Sequence, residues 1–125
     1  MNEFTPDELL HIQTAWKALD NKFGSDTTVL DIHNVSSIAD CFIITSGSNP
    51  SQIRAMADEV EEKLGNLGLQ LRHMEGMHTM NWVLMDFGSI VIHIFDKESR
   101  GFYNLERIWS DGTVVPESIL SAGSA

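Results

Sequence analysis

The sequence predicts one α/β domain, a mixed β-sheet of about five strands packed with helices. Three observations carry this expectation. The run CFIIT (residues 41–45) does not alternate, as in a strand buried on both faces, and a capped amphipathic helix and then another strand follow it. A strand, a crossover helix and a strand in that order imply a right-handed parallel pair. Alternating apolar runs at 82–87 and 90–95 flank Gly88-Ser89, the signal of a two-residue antiparallel hairpin. A chain of 125 residues fits a single domain, which buries roughly two thirds of its unfolded surface without disulfides or metal.

Element by element, Thr5-Pro6-Asp7-Glu8 starts a helix, with Thr5 as N-cap, Pro6 in the first turn and Glu8 completing a capping box. Leu9, Ile12, Trp16, Leu19 and Phe23 recur at helical spacing, and Gly24 marks the end. Trp16 on that stripe reads as core. Residues 28–32 form a strand and 34–37 a turn; Cys41 in the next strand reads as a small buried hydrophobe. Ser46-Gly47-Ser48-Asn49-Pro50 is a polar loop that ends in a helix cap. Ile53, Met56, Ala57, Val60, Leu64 and Leu67 make one stripe as far as Gly68. Residues 69–74 read as a strand, 76–80 as a loop, and 103–109 as a short helix. The Ser-, Gly- and Ala-rich segment 112–125 reads as a loosely held tail.

Eight basic and eighteen acidic residues give 8 − 18 = −10, with no Lys/Arg cluster, which argues against bare nucleic acid; an acidic surface favours basic partners such as basic proteins, or serves solubility alone. A single cysteine permits no intramolecular disulfide and points to a reducing compartment. No apolar run approaches a membrane span and Met1 to Phe4 lacks the features of a signal peptide, so a cytoplasmic location is expected.

Asp86-Phe87-Gly88 matches the magnesium-holding triplet of protein kinases, but the chain is too short and lacks a Gly-rich phosphate loop before a strand lysine and a His-Arg-Asp loop. The hairpin accounts for the triplet instead. With the turn at Gly88-Ser89, Phe87 faces Ile90, Met85 faces Ile92 and Val83 faces Ile94 on a wholly apolar side. The other side pairs Asp86 with Val91, Leu84 with His93, and Trp82 with Phe95. That mixed face is either covered by a helix of the same chain or is a surface that another protein covers, since aromatic anchors with a few polar neighbours are typical of interface centres. Asp86 could orient His93 across the strands, yet no nucleophile accompanies them, with Ser89 in the turn and Cys41 in the core. Gly47-Ser48 before a helix suits phosphate, but the paired carboxylates of nucleotidyl transfer are missing from the next strand, which offers only Glu75. His73, Glu75 and His78 match no standard zinc spacing.

Asp31 within 28–32, SSIADCFII, the Gly47 loop, Glu75-Gly76, WVLMDFGSIVIHIF and above all RGFYNLERIW (100–109) closely resemble the bacterial ribosomal silencing factor, or Iojap, family over about residues 8–111. The resemblance assigns 1–111 to the family domain and leaves 112–125 outside it; Cys41 stands where an aromatic is frequent. It implies a nucleotidyltransferase-like fold without the catalytic carboxylates, no enzymatic activity, no cofactor and no metal. It further implies a translational repressor that binds protein L-fourteen of the large ribosomal subunit and blocks association with the small subunit, and it allows a homodimer. On this resemblance the partner-binding residues are Trp82, Leu84, Asp86, His93, Phe95, Tyr103 and Glu106. The alternative is a degenerate nucleotidyltransferase-like enzyme binding a nucleotide at residues 47–49.

Overall fold

The computed structural model describes residues 4–122. The chain runs α1 (Pro6–Asn21), β1 (Ser25–Asp31), β2 (Cys41–Gly47), α2 (Pro50–Asn66), β3 (His73–Glu75), β4 (Trp82–Asp86), β5 (Ile90–Asp96), α3 (Lys97–Tyr103), α4 (Leu105–Ile108), β6 (Thr113–Val114) and α5 (Glu117–Ala122). Among the described residues the sheet has six strands, one more than expected, in the order β3-β4-β5-β2-β1-β6.

The sheet is mixed, but its parallel pair is β2 with β5, not β2 with the strand after the crossover helix. β3 runs in the same direction as β2, and the β4–β5 hairpin lies between them. Burial explains this order. In β5 every residue from Ile90 to Phe95 is buried, which suits a central position beside the fully buried β2, whereas His73 and Glu75 of β3 are exposed, as an edge strand requires. Leu69 and Leu71, expected in that strand, pack against the core from a loop.

Thr5 caps α1 by accepting the Glu8 N–H at 3.1 Å, and Glu8 Oε1 accepts the Thr5 N–H at 2.9 Å. The helix ends two residues before Phe23, the last position of its apolar stripe. Phe23 is 82 % exposed and takes the left-handed conformation (φ 64°), while Phe23 N–H and Gly24 N–H bond back to Asp20 and Leu19 in a Schellman closure. Gly24 serves a different need, since a Cβ there would lie 2.7 Å from Thr45 Oγ1. In α2, Asn49 caps at the Gln52 N–H (2.8 Å), and Ile53, Met56, Ala57, Val60 and Leu64 are buried, but Leu67 is exposed beyond the last turn.

The segment after Asp111 was expected to be loosely held, and the structure differs. β6 pairs Val114 with Leu30, Val115 is buried and donates its N–H to Val29 O (2.9 Å), and Leu120 of α5 joins the core beside α1. The Ser/Gly/Ala composition obscured Val115, Ile119 and Leu120, which pack on the core. Residues 123–125 and the start of the segment read for a signal peptide lie outside the described residues.

Alternation along the strands makes two cores. Val29, Cys41, Ile43, Val83, Met85, Phe87, Ile90, Ile92 and Ile94 meet α1, α2 and α5 on one side. Leu30, Ile32, Phe42, Ile44, Val91 and Phe95 meet Leu105, Trp82 and Trp109 on the other.

Candidate functional site: an aromatic face on the hairpin

The hairpin pairs as the alternation predicted, with Trp82 opposite Phe95, Leu84 opposite His93 and Asp86 opposite Val91. Gly88 supplies the left-handed turn (φ 95°), and Asp86 Oδ1 accepts its N–H at 2.7 Å. Asp86 therefore braces the turn, and His93 turns to a different partner.

Chain continuity brings α3 and α4 over this face. Asp96 caps α3 through the Ser99 N–H (2.7 Å), and Asn104, left-handed at φ 49°, breaks the helix and starts α4. Arg100 fastens the pair. Its guanidinium donates to Glu106 Oε2 (2.8 and 3.0 Å), Ser25 O (3.1 Å), Ser46 Oγ (3.0 Å) and Thr28 Oγ1 (3.4 Å), so all five N–H groups are used. Tyr103 is thereby set 4.6 Å from Trp82 between ring centroids, and Trp109 lies edge-on to Phe42 at 5.2 Å.

At the centre, the Trp82 indole N–H donates to His93 Nδ1 at 3.1 Å. His93 is 3 % exposed, Phe42 lies T-shaped against it at 4.7 Å, and its Nε2 has no hydrogen-bond partner. Burial lowers the imidazole pKa to about 4, so the ring is neutral near pH 7. Trp82 stacks on Phe95 at 5.1 Å.

The expected contact residues thus fall into two layers. Trp82, Leu84 and Asp86 are half-buried and Tyr103 is 40 % exposed, with Phe102 beside it at 80 %. His93 and Phe95 lie beneath them, fully covered, because Trp82 and the α3–α4 segment close over β5; they support the surface and do not form it. Glu106 commits one carboxylate oxygen to Arg100, and its Oε1 is buried without a partner, which makes it an anchor for α4. Arg100 and Phe42 were missed as functional contributors. Arg100 stood in the motif RGFYNLERIW, but its partners lie up to 75 residues away in sequence.

The Gly47 loop is occupied by the chain's own groups. Ser48 N–H donates to Gln52 Oε1 at 2.6 Å, while Gln52 Nε2 bonds the carbonyls of Lys22 and Phe23 at 3.0 Å. A Cβ on Gly47 would lie 2.7 Å from Ile53. A polar cavity of about 420 Å³ opens nearby, lined by Asp26, Ser46, Lys97, Arg100, Gly101, Asn104 and Glu106. His73 Nε2 and Glu75 Oε2 lie 2.6 Å apart as an exposed pair, and among the described residues no group of three His, Cys, Asp or Glu is placed to hold a metal. Cys41 is buried and its thiol is pushed far up by desolvation, so no thiolate nucleophile is available there.

A mixed sheet thickly covered on one side, with a braced and partly exposed aromatic surface on the other, defines a small α/β protein. Comparison with known proteins specifies which kind. The sequence pattern of the family described as "Ribosomal silencing factor during starvation" matches residues 5–124. The ribosomal silencing factor RsfS of Bacillus subtilis is 38 % identical over 104 residues, covering 83 % of this chain and 88 % of that protein. A crystal structure of a Chromobacterium violaceum protein superposes with a TM-score of 0.79 at 31 % identity, covering 82 % of this chain and 87 % of that one. One from Bacillus halodurans gives 0.74 at 32 %, covering 84 % and 95 %. The chain belongs to the ribosomal silencing factor family, a family of ribosome-associated regulatory proteins. The family pattern extends through the C-terminal segment that forms β6 and α5. No helix among the described residues is long and apolar enough to cross a membrane.

Proposed function

We propose that this protein represses translation in the cytoplasm by docking on protein L-fourteen of the large ribosomal subunit and sterically blocking its association with the small subunit. The observation that carries the proposal is the surface formed by Trp82 and Tyr103, with Phe102 and Leu84 around it. A partly exposed pair of aromatic rings, one of them held by a hydrogen bond to a buried histidine, is the kind of anchor that dominates interfaces. The formal charge of −10 complements a basic ribosomal protein and not the RNA around it. The enzymatic alternative has less support, because the Ser48 amide that would face a phosphate is already engaged by Gln52. Calorimetry with ATP, CTP and magnesium is expected to give no heat of binding, and a micromolar constant would revive that alternative.

The test is direct. Wild-type protein should co-sediment with isolated large subunits, prevent joining when added before small subunits, and do little to subunits already joined. Trp82→Ala should weaken binding by roughly 2 kcal/mol, about thirtyfold, while remaining folded. Binding without any effect on joining, or a folded Trp82→Ala that blocks as well as wild type, rejects the proposal.

A further inference from the structure

His93 does not reach the surface, yet it touches the residue that forms the anchor. We infer that His93 is a positioning residue: by accepting the Trp82 indole N–H at Nδ1, it turns the anchor's one polar atom into the domain and leaves only the apolar edge and face of the indole for the partner. The inference rests on the docking role proposed above and deepens it by naming what the anchor can recognise.

The geometry fixes the tautomer. An imidazole that accepts at Nδ1 while neutral must carry its proton on Nε2. That buried N–H has no oxygen or nitrogen partner, and Phe42 lies T-shaped against the ring at 4.7 Å with an interplanar angle of 70°. The enclosing rings of Phe42, Trp82 and Phe95 carry no charge, in keeping with a pKa lowered by burial to about 4. A leucine would fill the same space without burying an unpaired donor, so packing alone does not account for a histidine here. Aiming the indole does. Stacking on Phe95 fixes the ring plane, and the bond to Nδ1 fixes which edge points inward.

The consequence for recognition is specific. Trp82 offers the partner no hydrogen-bond donor, so the group it meets should be apolar or should be a cation stacked on the ring face. Tyr103, 40 % exposed beside it, keeps its hydroxyl as the polar handle of the pair.

Nitrogen-15 NMR of wild-type protein tests the bond without any variant. The expected result is a His93 ring protonated at Nε2 and bare at Nδ1, with a slowly exchanging Trp82 indole proton. His93→Leu, which keeps the bulk and removes the acceptor, should remain folded, lose the slow exchange and bind large subunits about five- to tenfold more weakly, the effect of one net hydrogen bond. His93→Asn places an oxygen near the former Nδ1 position and should recover part of both properties. A wild-type ring protonated at Nδ1, or a folded His93→Leu that binds as tightly as wild type, overturns the inference. Wild-type protein that does not bind large subunits overturns the docking role instead, and the tautomer measurement then decides the hydrogen bond by itself.

Discussion

The two faces of the hairpin come from the same ten or so residues and have opposite characters. On one side Val83, Met85, Ile92 and Ile94 are completely buried under helices of 16 and 17 residues, with no polar side chain among them. On the other, Trp82, Leu84, Asp86, His93 and Phe95 share a face whose helices, α3 and α4, have only 7 and 4 residues; the Arg100–Glu106 bonds tie these two helices together, and a hydrogen bond ties Trp82 to the buried His93. The thick cover supplies stability through burial. The thin cover leaves aromatic surface partly exposed, and polar bonds fix its shape because there is too little apolar contact to do so. On the docking role proposed above, the binding energy would lie where the folding energy is lowest.

The largest expected effect lies on the thick side. Met85→Ala removes a side chain with no exposure from the middle of the core and should cost roughly 2–5 kcal/mol in chemical denaturation. Leu84→Ala, one residue away but half-buried on the thin side, should cost clearly less. Equal losses would mean that the two faces do not differ in kind.

The next effect is a pH dependence confined to the thin side. The folded-state pKa of His93 is lowered to about 4 by burial, against about 6.5 in the unfolded chain. The unfolded state therefore takes up a proton first as pH falls. The stability contributed by the neutral ring is fully present above pH 6.5 and is lost progressively down to about pH 4, by about 3 kcal/mol in all. Asp40, raised chiefly by desolvation, and Glu8, lowered chiefly by the Thr5 backbone N–H, titrate in wild type and variant alike. The difference between wild type and His93→Leu isolates the imidazole. Parallel stability curves from pH 7 to pH 4 would show that His93 is not buried as a neutral ring.

Local rules were enough for the elements whose causes are local. The Thr5–Glu8 capping box, the Asn49 cap and the register around Gly88 follow from residues within a few positions of one another, and each formed as the sequence implied. Strand order was not legible in the same way. Whether β3 or β5 lies beside β2 depends on which strand is apolar on both faces, and His93 made β5 look like a half-polar strand. The mixed face showed a related limit. Alternation placed Trp82, His93 and Phe95 on one side of the sheet, but their depth depends on α3 and α4, whose position is set by Arg100 reaching Ser25, Thr28 and Ser46. A buried histidine and a surface histidine look the same until those long-range bonds are known.

The smallest effect separates two roles of one residue. Asp86 is half-buried at the end of β4, where Oδ1 accepts the Gly88 N–H and so supports the turn that sets the whole hairpin register. Its charge, by contrast, is also available to a partner. Asp86→Ala loses the bond and should lower stability by about 1 kcal/mol, the net worth of such a hydrogen bond. Asp86→Asn keeps an oxygen in the same place and should hold stability within a few tenths of that of wild type, while removing the negative charge from the rim of the docking face. Its effect should then appear in association alone, as a slower on-rate for large subunits and a weaker dependence on salt, with dissociation little changed. Asp86→Lys should slow association further by placing like charges together. If Asp86→Asn destabilises the fold as much as Asp86→Ala, the carboxylate itself is structural. If it binds at the wild-type rate at low salt, Asp86 belongs with His93 and Phe95 among the groups that shape the docking face without meeting the partner.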